Sequence, residues 1–160
     1  MQLTPDQRFE ALSDEIPALF SIPANFSFVG AKRSGNTIWL SGHGPNLRKA
    51  PPDFDYTGKI GRELSKEDGY AAARLVGLNL LVTLQSAIGS LNLVKEILQV
   101  TGAVNSAQGF TGQSFVVNGC TDLLMEIFCN SGKPTRTALG VAELPFNMSV
   151  ECNMTVELFP

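Results

Sequence analysis

Arg136 and Glu151 are the residues of this chain whose types could do chemistry. A guanidinium is a planar, two-pronged donor that matches a carboxylate. A carboxylate can take a proton from water and later return it. Each also has an ordinary reading: a lone Arg at a strand start usually serves an ion pair, and a Glu on a polar strand face is usually just solvated. Ser41 and Asn118 are residues that commonly bond to turns and backbone groups. His43, the sole histidine, lies in Gly42-His43-Gly44-Pro45 with no Cys, Ser or acid at telling spacing, and reads as a loop histidine without a catalytic role. Gly42-x-Gly44 is no nucleotide fingerprint, because no helix follows it promptly. Cys120, Cys129 and Cys152 are odd in number and lack CxxC spacing, which argues against a disulfide framework or a zinc site. They read as buried free thiols in a reducing cytoplasm.

The elements that must position these residues follow from periodicity and turn chemistry. Thr4 to Leu12 predicts a short leading helix, with Thr4 as cap and Pro5 in the first turn. Ser27–Arg33 and Thr37–Ser41 read as paired strands around Ser34-Gly35-Asn36. Gly42 to Ser65, rich in Pro and Gly, reads as a long loop of the kind that is often functional. Ser65 caps a helix carrying Tyr70, Ala73, Gly77, Leu80, Leu81 and Leu84 at helical spacing, and Gly89 stops it. Ile97–Val104 predicts a buried strand, and about Thr111 to Cys129 a second helix with Phe115 on its apolar side. Two strands close the chain, about Thr135–Glu143 and Ser149–Leu158, the second alternating cleanly. Trp39 is most simply core.

The order is ββαβαββ. It implies one α/β (α+β) domain, a mixed sheet with two helices packed on one face. The other face is left bare, and oligomerisation is expected to cover it. The chain has 160 residues, net charge −3 and 44% hydrophobic residues, a globular composition without the basic tract of a nucleic-acid binder. No run of about 18 apolar residues appears, so no membrane span is expected. The N-terminus lacks the basic start and apolar core of a signal peptide, which points to the cytoplasm.

Several segments together resemble the RidA family, also called YjgF-like or endoribonuclease L-PSP. Gly35-Asn36-Thr37-Ile38-Trp39-Leu40-Ser41-Gly42 is similar to the family's second strand, which ends in Ser-Gly. Phe115-Val116-Val117-Asn118 resembles its second helix. Pro134 to Pro145, continued by Val150-Glu151-Cys152, resembles its closing motif, Arg-x-x-x-x-x-Ala-x-Leu-Pro followed by Glu. The resemblance runs from about Phe26 to Leu158 and leaves residues 1–25 as an N-terminal extension to a single domain spanning 1–160.

The resemblance implies a fold like Bacillus-type chorismate mutase, homotrimers with clefts between subunits, and hydrolysis of reactive 2-enamino and 2-imino acids, such as 2-aminoacrylate and 2-iminopropanoate, to 2-oxo acids and ammonia. By matched position it implies Arg136 as the carboxylate-binding residue, Glu151 as the water-handling residue, and Ser41, Gly42 and Asn118 as cleft residues. Phe28 and Ala138 stand where the family often has Tyr and Cys. Imines are already electrophilic, so no metal or cofactor is required. The partners expected are a small carboxylate substrate and two further copies of the chain, with no nucleic acid or membrane. If the last two strands form a hairpin about Phe146-Asn147, Glu151 pairs near Ala142, roughly 20 Å from Arg136 at ~3.3 Å per residue. A small substrate could then touch both only across two subunits. Two rival readings are a non-catalytic trimer binding a carboxylate metabolite, and a ribonuclease.

Overall fold

The computed structural model describes residues 2–16, 25–45 and 55–160. Helix α1 (Pro5–Glu10) begins at Thr4, whose hydroxyl accepts from the Gln7 amide while the Gln7 side chain accepts from the Thr4 amide, so two orphan amides of the first turn are satisfied. Phe9 then buries its ring in the core, with 2% exposed. The strands are β1 (Ala31–Ser34), β2 (Thr37–His43), β3 (Val94–Asn105), β4 (Thr135–Val141) and β5 (Val150–Leu158), and the two long helices are α2 (Lys66–Ile88) and α3 (Gln113–Phe128). Ser65 and Asp68 form a reciprocal cap at the start of α2, and Gly89 ends it at φ 88°, where a side chain would be strained.

The sheet order is β1-β2-β5-β3-β4. All neighbours are antiparallel except β3 and β4, which run parallel with α3 as their crossover. Both long helices cover one face, as the sequence predicts. Val150, Cys152, Met154, Val156 and Leu158 of β5 are all buried beneath them. The 23 residues of α2 are long and apolar enough to cross a bilayer, yet they are a core helix: Ala72, Ala73, Val76, Leu80, Leu81 and Leu84 are wholly buried. Gly119 marks where α3 crosses α2. A Cβ there would stand 2.0 Å from the Tyr70 carbonyl oxygen, a backbone atom that cannot swing aside. Gly119→Ala is therefore expected to destabilise the fold by roughly 1–3 kcal/mol, the usual cost of overpacking. Denaturant unfolding would measure it, and an unchanged midpoint would refute the close approach.

Several expectations are corrected. The closing strands are not a hairpin, because β3 lies between β4 and β5. The first strand is short, and Phe28 precedes it in irregular chain, 53% exposed. Trp39 is not core: Ile38 and Leu40 point under the helices, so their neighbour points out, 48% exposed on the bare face. Phe115 is likewise exposed, its ring against Tyr70 and under the Lys66 ammonium. Cys120 and Cys152 are buried free thiols, but Cys129 is exposed at the end of α3. The predicted loop from Gly42 to Ser65 is described only in part, residues 46–54 lying outside the described residues. Its far end is anchored, with Ile60 wholly buried and bonded through its amide to the Asn105 carbonyl.

Candidate functional site

The sheet register decides where each site residue points. Arg136 pairs with Val100, and Val100 is wholly buried under the helices, so Arg136 shares the helix-covered face. Its guanidinium reaches the first three turns of α3. Nη1 donates to Asn118 Oδ1 at 2.6 Å and Thr121 Oγ1 at 3.0 Å, and Nη2 to Ser114 Oγ at 2.7 Å and the Ser114 carbonyl at 3.3 Å. Ala138 and Gly140 follow on the same face of β4, an edge strand. A cleft of about 540 Å³ opens at that end of the strand between Gly140, Gln113, Ser106 and Lys59. The sequence motif thus brings Arg136, Asn118 and Ala138 together, and adds Ser114 and Thr121, which the sequence reading missed.

Glu151 pairs with Ala103 and points the other way, onto the bare face. It lies three residues along and two strands across from Arg136, roughly 14 Å between Cα atoms by ordinary strand spacings. That is shorter than a hairpin would give, and the two side chains project from opposite faces. One copy of the chain does not converge them on one small molecule. Around Glu151 the structure gathers a different set. A Cβ on Gly42 would stand 2.2 Å from Glu151 Oε1, so the carboxylate rests directly against the glycine backbone. Burial raises the Glu151 carboxyl above its ordinary value.

Ser41 is fixed beside it, its hydroxyl donating to the Val29 carbonyl at 2.6 Å and its amide to the Gly30 carbonyl at 2.9 Å. Next to Ser41 a cavity of about 380 Å³ is lined by Phe28, Val29, Lys32, Trp39 and Leu40 among others. Phe28 packs edge-on against Phe26, ring centres 5.5 Å apart. The expected cleft residues therefore fall in two groups: Arg136, Asn118 and Ala138 at the β4 edge, and Glu151, Gly42, Ser41 and Phe28 from the middle of the sheet toward β1.

Other reactive groups stand apart. His43 is not a loop residue. It ends β2, buried, and a register shift between Leu40 and His43 turns it under the helices. The Cys152 thiol is pushed well up by the Cys120 thiol beside it and by burial, which removes it as a thiolate nucleophile. Among the described residues no group of three or more His, Cys, Asp or Glu could hold a metal ion.

Comparison with known proteins agrees with this fold. Residues 8–158 match the family described as "YjgF/chorismate mutase-like, putative endoribonuclease", so the match begins within α1 and includes Phe9. "Protein TCP17" of Trypanosoma cruzi is 36% identical over 150 residues, covering 93% of this chain and 91% of that protein. A Shewanella oneidensis structure described as a "putative endoribonuclease" superposes with a TM-score of 0.86 at 29% identity, covering 98% of this chain and all of that one. RidA from an Antarctic Psychrobacter shares the fold, with a TM-score of 0.56 at 23% identity, covering 91% of this chain and 95% of that one. With its sheet order, its closing motif and nearly its whole length matched, this chain belongs to the YjgF/chorismate mutase-like family, to which RidA-type proteins are related in fold.

Proposed function

We propose that the chain hydrolyses reactive 2-enamino and 2-imino acids to 2-oxo acids and ammonia, in a homotrimer whose sites lie between subunits. The observation that carries this reading is the division of the polar residues into two incomplete halves, an Arg136 half at one sheet edge and a Glu151 half toward the other. Each lacks what the other has. A neighbouring copy that sets its β4 edge beside Ser41 and Glu151 completes the set. The bare face gives the copies a reason to associate, with Trp39, Leu98 and Leu139 exposed on it by 48%, 36% and 49%.

In the completed site Arg136 holds the substrate carboxylate, and Ser41 with its neighbouring backbone fixes the orientation. An enamine first takes a proton at C3 and gives one up from nitrogen, becoming the imine. Glu151 takes a proton from water as the water oxygen bonds to C2 and the C=N electron pair moves to nitrogen, and it then passes that proton to the nitrogen. The carbinolamine hydroxyl next gives its proton to Glu151, which delivers it to the nitrogen as the C2–N bond breaks, so that C=O forms and ammonia leaves. A carboxyl raised by burial suits both halves of that cycle, because it is a stronger base than an exposed carboxylate and still gives its proton back.

A second reading, binding without turnover, is favoured by Ala138 and Phe28, which bring no reactive atom to the cleft. Ammonia release from freshly generated 2-iminopropanoate separates the two: release above the spontaneous rate supports catalysis, and tight pyruvate binding without it supports the binder. The endoribonuclease label of the family and of the Shewanella structure transfers less readily to a chain of net charge −3 whose single histidine is buried. Assembly has its own test. Light scattering at micromolar concentration is expected to give about three times the 17.2 kDa chain mass, and a clean monomer would remove the shared site.

A further inference from the structure

The end of β2 is held from beneath by two of the polar residues buried in the core. His43 is 7% exposed and Asn79 5%, and both belong to contacts between the Ser41–Gly44 segment and α2. His43 Nδ1 stands 2.7 Å from the Ser41 carbonyl oxygen, and Nε2 stands 2.8 Å from Thr83 Oγ1. A carbonyl only accepts, so Nδ1 carries the proton; in the neutral ring Nε2 then accepts from the Thr83 hydroxyl. One turn earlier on α2, Asn79 Nδ2 donates to the Gly44 carbonyl at 3.0 Å. Two side chains of one helix thus grip the strand end, one directly and one through the imidazole.

The grip falls where the sheet is irregular. The β2–β5 register shifts between Leu40 and His43, so Ser41 and Gly42 lie in the shifted stretch without ladder partners of their own. A bulge of this kind re-aims the chain at a point where pairing alone does not fix it. Ser41 is held instead by three bonds, from its amide to Gly30, from its hydroxyl to Val29 and to its carbonyl from His43. The outcome is the contact of the Gly42 backbone with the Glu151 carboxylate, on the opposite face from the imidazole.

We infer that His43, through Thr83, is a positioning residue that locks the Ser41–Gly42 bulge against Glu151 and so fixes the water-handling half of the site from inside the core. Its catalytic part rests on the deamination reading above, but the lock itself does not. His43 touches no substrate; it acts through Ser41 and Gly42.

The test compares three variants with wild type. His43→Asn places an amide nitrogen near the position of Nδ1 and keeps the bond to Ser41; His43→Leu removes both bonds; Thr83→Val removes only the outer one with little change of shape. Amide hydrogen exchange at Ser41–Gly44 reads the lock without any substrate. His43→Leu is expected to speed exchange there by roughly tenfold or more, with α3 amides unchanged, and Thr83→Val by a smaller factor. In the deaminase assay His43→Leu is expected to lower kcat by on the order of tenfold to a hundredfold with KM nearly constant, since the carboxylate-holding residues lie elsewhere. His43→Asn should recover most of that loss. Unchanged exchange in folded His43→Leu, or in Thr83→Val should His43→Leu not fold, overturns the lock. So does a His43→Asn variant as loose and slow as His43→Leu. A wild type that releases no ammonia counts against deamination alone, and the exchange result then decides the lock by itself.

Discussion

Glu151→Gln is expected to lower turnover by roughly 10²–10⁴-fold, the usual range for loss of a general acid–base, while 2-oxo acid binding survives. The substitution keeps the size of the side chain and its fit against Gly42, and removes only the capacity to carry a proton. The pH behaviour follows from burial, which holds the carboxyl above its ordinary 4.5. The base form is lost as pH falls through the raised native value, so the acidic limb of the wild-type rate lies above 4.5 and is missing from the residual rate of the Gln variant. Stability moves the opposite way. A native pKa above the unfolded one favours the protonated form in the fold, a contribution fully present below the ordinary value and lost as pH rises through the native one. At pH 7 the ionised Glu151 therefore carries a desolvation cost that Gln lacks. The Gln variant is expected to melt at a higher temperature at pH 7, with the gap closing toward pH 4. Full activity in the folded variant would reassign Glu151 to structure.

That opposition between stability and activity helps explain how much could be read from the sequence. What was local was legible. Ser65 with Asp68 and Gly89 bound α2 by cap chemistry, and the two-residue alternation of Val150 to Leu158 by itself places Glu151 opposite the core. What depended on partner choice was less so. Nothing in Leu144–Met148 forbids a hairpin, and that stretch suggested one. The signal against it lay upstream: strand, helix, strand over Val94–Val141 is a parallel crossover unit, which sets β4 beside β3 and leaves β5 to pair on β3's other edge. His43 reads as a loop residue because Gly42, Gly44 and Pro45 suggest that the strand stops at Ser41; β2 instead runs on to His43 through a bulge, which turns that side chain under the helices. Asn79 and Thr83 did leave a trace, as polar residues on the sheet-facing side of an apolar helix. Buried polar groups need partners, and theirs turned out to be the strand end that holds Gly42.

Arg136→Ala is expected to weaken binding of small 2-oxo acids such as pyruvate by tenfold or more, and Arg136→Lys to weaken it by less. The structure states what the ligand must do. Nη1 is tied to Asn118 and Thr121 in part-buried contacts, whereas the Nη2 contacts to Ser114 are exposed. A carboxylate that replaces the Ser114 contacts exchanges neutral partners for a charged one, and charge-assisted hydrogen bonds contribute about 1.5–3 kcal/mol each. The inner bonds keep the guanidinium plane fixed, so the fork is aimed before the ligand arrives. Lysine can supply the charge but neither the plane nor the simultaneous hold on Asn118 and Thr121. Arg136 sits on an edge strand and is only partly buried, so both variants should keep the mass of the wild-type assembly. Asn118→Ala makes the argument sharper: it leaves the charge in place and loosens only its aim, and it should weaken pyruvate binding less than Arg136→Ala. Calorimetric titration of wild type and the three variants, with a mass measurement on each, decides the matter. Unchanged affinity in folded Arg136→Ala, or no binding of any small carboxylate by wild type, would remove Arg136 from the site.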